Sequence, residues 1–517
     1  LNPYVAPAPP PELPQDTNGD TALVISVGGA PVVGIGSFHK TLPHNEFGEV
    51  DPVAFAALVG AASTGSTFHI VPTGVDPKPP APGQPAAPFV NPRAGFAREG
   101  LGPDPTQLTM PPAPPVLSAS TAAEMTELYW MALLRDLPFD SWATDADVGT
   151  AVTELDREFQ RAANLDAGYD WALKVGLDLP GAANVNVTRQ SIFRCGLRDE
   201  QKGPLVSQFF LHDAAFGTET IIQKHNPYTA GMDYLTDYAT WLRAQELGLG
   251  DDNRPYPQAN ESMETYYEQS GGARAWRRIQ SMRDIARFVH KDALHQAYFN
   301  AALLLLSWGA KPDAGNPYAS ATREAGFGTW GGPHLLTLVS EVASRALKVV
   351  WRQKWHHHLR LRPEAYGGLM QMQEIGHNGT KRAYGLPARV FSRDAAQRVF
   401  AKNGTYFLPM AFTSGSPAHP AYGAGHATVA GACVTVLKAW FDETETISGL
   451  VANGRHPVTR GPVKIVQPGV GRAAASDGTG GSELLEYTGA DAGDLTVLGE
   501  LNKIASNVAM GRSMGGV

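Results

Sequence analysis

Apolar residues recur along this chain mostly at helical spacing. "TAAEMTELYWMALLRDL" places Thr121 and Glu124 as a capping box ahead of an apolar run, which predicts a helix starting near Thr121. From Ala273 to Gly309 the chain carries no proline over 37 residues and its glycine only at the end, so that stretch also reads as helix. In "GPHLLTLVSEVASRALKVVW", Pro333 opens a segment whose Leu335, Leu338, Val339, Val342, Ala346 and Val349 form one face. Ala427, Ala430, Val434, Leu437 and Phe441 repeat the pattern, as do Leu501, Ile504, Ala505 and Val508. Strand-like alternation is weak throughout. The pattern predicts a mainly α fold of helix bundles with long Pro- and Gly-rich loops and little β structure.

Two proline-rich stretches interrupt this pattern. Pro3 to Pro14 reads as an extended arm, and Asp76 to Pro115 is too proline-dense for helix or inner strand. Each suits a linker, a surface loop, or an arm wrapped round a neighbouring subunit. The organisation expected is an N-terminal region of arm and loops over residues 1–117, followed by a helical domain over 118–517.

Composition narrows the function. The 517 residues are 43% hydrophobic and 18% charged, with a net charge of −8 and a pI near 6. That mild acidity disfavours a general nucleic-acid or anionic-membrane binder. The longest strongly apolar run, Ala301 to Leu306, falls far short of the roughly 18 residues a span requires. No signal peptide is visible and the chain opens on Leu1, which suggests a missing upstream segment and leaves the compartment open. Cys195 and Cys433 cannot build a disulfide framework, and Cys433 reads as a small core residue.

Three segments carry chemistry. "RQKWHHHLRLRPE" sets four formal positive charges and three histidines between Arg352 and Arg362, without an acid. Alone, such a block reads most simply as a solvated basic face at a helix C-terminus. Adjacent histidines do not share a helix face, so His356 to His358 read as surface or supporting residues and not as metal ligands. "YGAGHA" bends at glycine immediately before a helix, where free N–H groups seat an anion. "NVAMGRSMGGV" ends a third helix on Arg512 and another glycine-rich turn. One lysine, two arginines and free amides can surround a tetrahedral oxyanion, and a histidine beside it can move protons near neutral pH.

With these blocks in order, the chain resembles the vanadium-dependent haloperoxidases, above all the red-algal and cyanobacterial bromoperoxidases, within the superfamily that includes type-2 phosphatidic acid phosphatases. Lys354, seven residues and Arg362-Pro363 match the first block; "HPAYGAGHA" the second; Gly511-Arg512 through Val517 the third. "RCGLRDE…GPLVSQFF" and the flanks of the blocks extend the likeness over most of the chain beyond Thr121. The resemblance implies two four-helix bundles, and vanadate held by Lys354, Arg362, Arg512 and the Gly425 amide. It makes His426 the acid–base histidine and Lys354 the group that polarises bound peroxide. His419 and Gln353 become the positions that tune halide preference. A structural calcium is a further candidate cofactor. Two departures stand out. Ala424 replaces a serine common in the family, losing a hydrogen bond on the order of 1–3 kcal/mol. The histidine that ligates vanadium would follow Val517, so no metal ligand is assigned within the given chain, and truncation or omission is the expected reason.

The implied chemistry is Lewis-acid activation of hydrogen peroxide. Bromide or iodide then yields a hypohalous-acid equivalent that halogenates small organic substrates. No haem-attachment motif is visible. The partners implied are peroxide, halide and organic substrate, with no nucleic acid and no membrane span, in a homo-oligomer that in algal relatives is a dodecamer. An acid phosphatase on the same scaffold and a non-catalytic structural oligomer are the alternatives.

Overall fold

The computed structural model describes residues 11–75, 85–100, 102–166, 186–250, 266–270, 273–469 and 484–517. Positions 3–10 of the first proline-rich stretch, and 76–84 and 101 of the second, therefore lie outside the described residues. The fold is mainly helical, and the sheets among the described residues are four two-stranded antiparallel ribbons. The first joins β1 (Val24–Val27) and β2 (Ala30–Val33). No helix among the described residues is long and apolar enough to cross a membrane.

The principal helices are α1 (Pro52–Thr64), α2 (Ala119–Leu134), α3 (Ala146–Leu165), α4 (Tyr238–Leu247), α5 (Met282–Lys291), α6 (Gln296–Trp308), α7 (Gly332–Arg352), α8 (Pro363–Glu374), α9 (Asp394–Asn403), α10 (Gly425–Trp440) and α11 (Val497–Met514). α11 is buried on nearly every side and packs against α5 and α10, while α10 also packs against α7. A helix enclosed in this way has no polar face to spare, and its buried Lys503 is paired with Glu500 at 2.5 Å. Cys433 is fully buried in α10, as expected, with its thiol directed at the Val339 carbonyl.

Two expected boundaries move. α2 begins at Ala119, because Ser118 is extended and its hydroxyl accepts from the Thr121 N–H at 3.1 Å. Thr121 instead donates to the Pro115 carbonyl, and Glu124 pairs with Arg360 at 2.7 Å. The proline-free stretch from Ala273 to Gly309 is two helices behind a short ribbon strand. Arg277 and Arg278 are drawn out of helical register by Asp284 and Asp213, and Ser281 with Asp284 forms a capping box that restarts the helix. Asp292 then ends α5 in extended conformation.

The N-terminal region is not all arm and loop. It contains β1, β2 and α1, and it buries Phe38, Leu58 and Phe68 against Val350, Trp351 and Trp355 at the end of α7. Trp355 takes edge contacts from Phe38, Phe68 and Phe89, with ring centroids 5.4–5.8 Å apart. This cluster anchors the turn in which Lys354 lies.

Candidate active site

α7 does not stop at Arg352. It widens into a π-helical turn over Gln353–His358, closed by Leu359 at φ 42°, whose N–H returns to the Lys354 carbonyl. The basic block is accordingly not a solvated face: Lys354 and Arg362 are 1% and 3% exposed, and Arg352 is also buried. The Lys354 ammonium donates to the carbonyls of Pro420 (2.8 Å) and Ala421 (2.9 Å). Pro363 at the first position of α8 holds Arg362 extended, which turns its side chain off the helix. Arg362 Nε donates to the His419 carbonyl (2.6 Å), and Nη2 donates to His419 Nδ1 (2.8 Å). The same Nδ1 lies 3.0 Å from the Pro420 carbonyl, so the ring is clamped between a donor and an acceptor.

α10 begins at Gly425, directly before His426. Ala424, its N-cap, has no side chain able to cap, so the first turn's N–H groups are left for another acceptor. A Cβ added at Gly425 would meet Trp351 Cζ3 at 2.9 Å, so glycine permits this close approach. From the opposite side, Gly511 lets α11 approach α5 and brings Arg512 inward.

Lys354, Arg362, His419, Gly425, His426 and Arg512 all line one cavity of about 230 Å³. Val517 lines it too, so all three basic and glycine-rich segments reach the same space. Gln353 is absent from this lining: its amide donates to the Leu108 carbonyl and its oxygen meets His358, so adjacency to Lys354 in sequence does not place it at the cavity.

Asp292 completes the arrangement and escaped the sequence reading. It is the only acid among the described residues lining the cavity, and its Oδ1 lies 2.9 Å from His426 Nε2. His290 and Trp351 also line the cavity. The His290 ring stacks on Phe412 at 3.9 Å and its Nδ1 meets the Tyr228 hydroxyl at 3.0 Å. An HxD pair at a helix end, "VHKDA", was the available signal.

Electrostatics separate these groups. Burial pushes the Lys354 ammonium well below its ordinary value, and Arg362 and Arg512 push it further. Burial, then Arg362, Lys354 and Arg512, keep His419 well below the usual imidazole range; burial, Lys291, Arg287 and Arg512 do the same for His290. Both rings are therefore neutral near pH 7. Three cations facing one acid at a helix N-terminus call for an anion, and a tetrahedral oxyanion suits this donor set.

No family model matches the chain. It is 32% identical to a vanadium-dependent bromoperoxidase of Corallina pilulifera, over 93% of this chain and 83% of that protein. It is also 32% identical to one of Ascophyllum nodosum, over 97% and 80%. The chain belongs to the vanadium-dependent bromoperoxidases. The fold agrees: a solved structure described as the homohexameric second vanadate-dependent bromoperoxidase of Ascophyllum nodosum superposes with a TM-score of 0.75 at 29% identity, covering 98% of this chain and 77% of that one. In this bromoperoxidase-family chain Lys354, Arg362 and Arg512 line the cavity, with Ala424 at the helix mouth.

Proposed function

We propose that the chain is a vanadate-dependent bromoperoxidase whose oxyanion cavity is the cavity of Lys354, Arg362, Arg512 and His426. The observation that carries this reading is the convergence of those three cations and the His426–Asp292 pair on one buried space. Lys354, Arg362, Arg512 and the Gly425 amide would hold vanadate. When bound, vanadate supplies Lewis-acid activation of hydrogen peroxide toward halide oxidation.

The chain's own groups then have distinct tasks. Asp292 orients His426 through Nε2, so the acid–base histidine is held within reach of the cavity. Lys354 is fixed by two carbonyls beside the space where oxygen atoms would gain negative charge, and a bound anion would favour its ammonium form against burial and the two arginines. Arg362 and the Pro420 carbonyl hold His419 as a neutral ring at the cavity wall, where it would face a halide-side ligand. Trp351, Leu347, Val289 and Leu294 line the cavity with apolar surface that excludes water from these charges.

The substrates proposed are hydrogen peroxide, bromide or iodide, and small organic acceptors. A homo-oligomer is proposed on the strength of the homohexameric relative, with a dodecamer as the larger candidate; no residue set is proposed for calcium. The test is bromination of a phenolic dye by the full-length protein with peroxide, bromide and added vanadate. Vanadate-dependent turnover lost by at least a hundredfold in His426→Ala is expected. Phosphate-ester hydrolysis without any vanadate-dependent bromination would overturn the reading.

A further inference from the structure

Two of the three histidines after Lys354, His356 and His357, face a carboxylate of the N-terminal arm. On a regular helix His356 and His357 point apart, but in this π-helical turn their rings meet edge-on with centroids 4.6 Å apart. Glu12, from the described part of the proline-rich arm, meets both rings, and one ligand atom from each of the three residues lies within 4.8 Å of the others. His357 Nε2 is 3.0 Å from Glu12 Oε1, and His356 Nε2 is 3.8 Å from Glu12 Oε2. Ligands at zinc-bond distances on a tetrahedron are about 3.3 Å apart, and the two separations, one to each carboxylate oxygen, lie on either side of that value.

The surroundings orient the set. His356 Nδ1 donates to the Ala62 carbonyl at 3.1 Å, which leaves the lone pair on Nε2 facing Glu12. A backbone carbonyl on the far nitrogen is the usual support of a metal-bound imidazole. Phe96 meets the His356 ring edge-on at 5.3 Å and holds its plane. Arg352 is the cation facing the cluster. Its Nε (2.7 Å) and Nη2 (2.6 Å) both donate to Oε1, so the guanidinium competes for one carboxylate oxygen and leaves Oε2 toward His356.

We propose that Glu12, His356 and His357 form a binding site for a borderline divalent metal such as zinc, clipping the N-terminal arm to the turn that carries Lys354. Two imidazoles and one carboxylate match the preference of zinc, with water as the fourth ligand. The site is separate from the oxyanion cavity, whose lining contains none of these three residues. It acts on the assembly of the arm, not on the halide chemistry.

The experiment uses the full, tag-free protein after chelator treatment, titrated calorimetrically with zinc chloride and, in parallel, loaded with cobalt(II). Wild type should take up one equivalent of zinc with a Kd in the micromolar range or below, and the cobalt form should absorb in the visible as a tetrahedral site does. Glu12→Gln and His357→Asn should each weaken zinc binding at least tenfold and abolish the cobalt band. Both alter partly solvent-facing side chains, and circular dichroism confirms that each remains folded. Absence of saturable zinc binding in wild type, or unchanged binding in both folded variants, would overturn the proposal.

Discussion

Ala424 sits where a hydroxyl would both cap α10 and face the oxyanion cavity. Ala424→Ser should therefore do two separable things. The free protein should gain about 1 kcal/mol from the cap, read as a higher melting temperature. Vanadate should bind about five- to thirtyfold tighter if the hydroxyl reaches an anionic oxygen, read by reconstitution of activity against added vanadate. Asp292 invites the opposite change. Asp292→Asn keeps its size but weakens the hold on His426, so kcat should fall about ten- to a hundredfold while vanadate affinity stays within about threefold. An equal loss in both would assign Asp292 to anion binding instead. Asp20 supplies a pH test. Burial pushes its carboxyl up to about 6 from an ordinary value of 3.8, against hydrogen bonds from Val116 and Asn18. Between those values the folded state keeps a proton that the unfolded chain has released, so stability falls as pH rises through about 4 to 6 and stays lower above. Asp20→Asn should remove that slope and raise stability by about 1 kcal/mol at pH 7, measured by urea unfolding at pH 4 and 7. At this scale the residues that share one cavity were legible where a residue type and a local motif coincided, as at Lys354, Arg362, Gly425, His426 and Arg512. Asp292 had only the HxD pair of its own segment, which does not name its partner: His426 lies 134 residues away. Gln353 shows the converse: next to Lys354 in sequence, it is turned by the helix toward Leu108.

Among the elements, apolar periodicity located α7, α10 and α11 well, because each is buried along a face or all round. It failed where polar side chains set the ends. The α2 cap is Ser118 because the Thr121 hydroxyl is taken by a carbonyl behind it. The break before α5 comes from arginines pairing with carboxylates, information that periodicity does not contain. Close packing gives an element-scale prediction. A Cβ at Gly511 would lie 2.8 Å from Ile285 Cγ2 and 3.1 Å from the Ile285 carbonyl oxygen. Alanine gains about 1 kcal/mol over glycine in a helix, but forcing α11 from α5 costs about 1–3 kcal/mol. Gly511→Ala should thus destabilise modestly in denaturant unfolding. Because Arg512 is the next residue, it should also weaken vanadate binding severalfold. A more stable variant with unchanged vanadate affinity would show that the two helices have room to adjust.

For the molecule as a whole, helical class and the three basic and glycine-rich segments that meet at the cavity were readable in one dimension, but what braces them was not. Lys40 lies in the region expected to be arm and loops, yet it is fully buried against Glu364 of α8 at 2.5 Å. Its ammonium also donates to the carbonyls of Ser414 (2.7 Å) and Ser416 (2.6 Å), and Glu364 accepts from the Ser416 N–H. The pair thereby ties three distant segments together: the N-terminal region, the helix that begins beside Arg362, and the loop that leads to His419. Lys40→Met leaves the Glu364 charge buried without its partner and should cost about 3–5 kcal/mol of stability. Converting Glu364 as well, in Lys40→Met with Glu364→Gln, removes that stranded charge and should recover part of the loss. If the brace also positions the site, the single variant should show reduced vanadate affinity that the double variant does not fully restore, since the loop has lost both lysine-held carbonyls. Unfolding midpoints and vanadate titrations of the three proteins separate these contributions. A single variant as stable as wild type would mean that the loop and α8 are held by their apolar contacts alone.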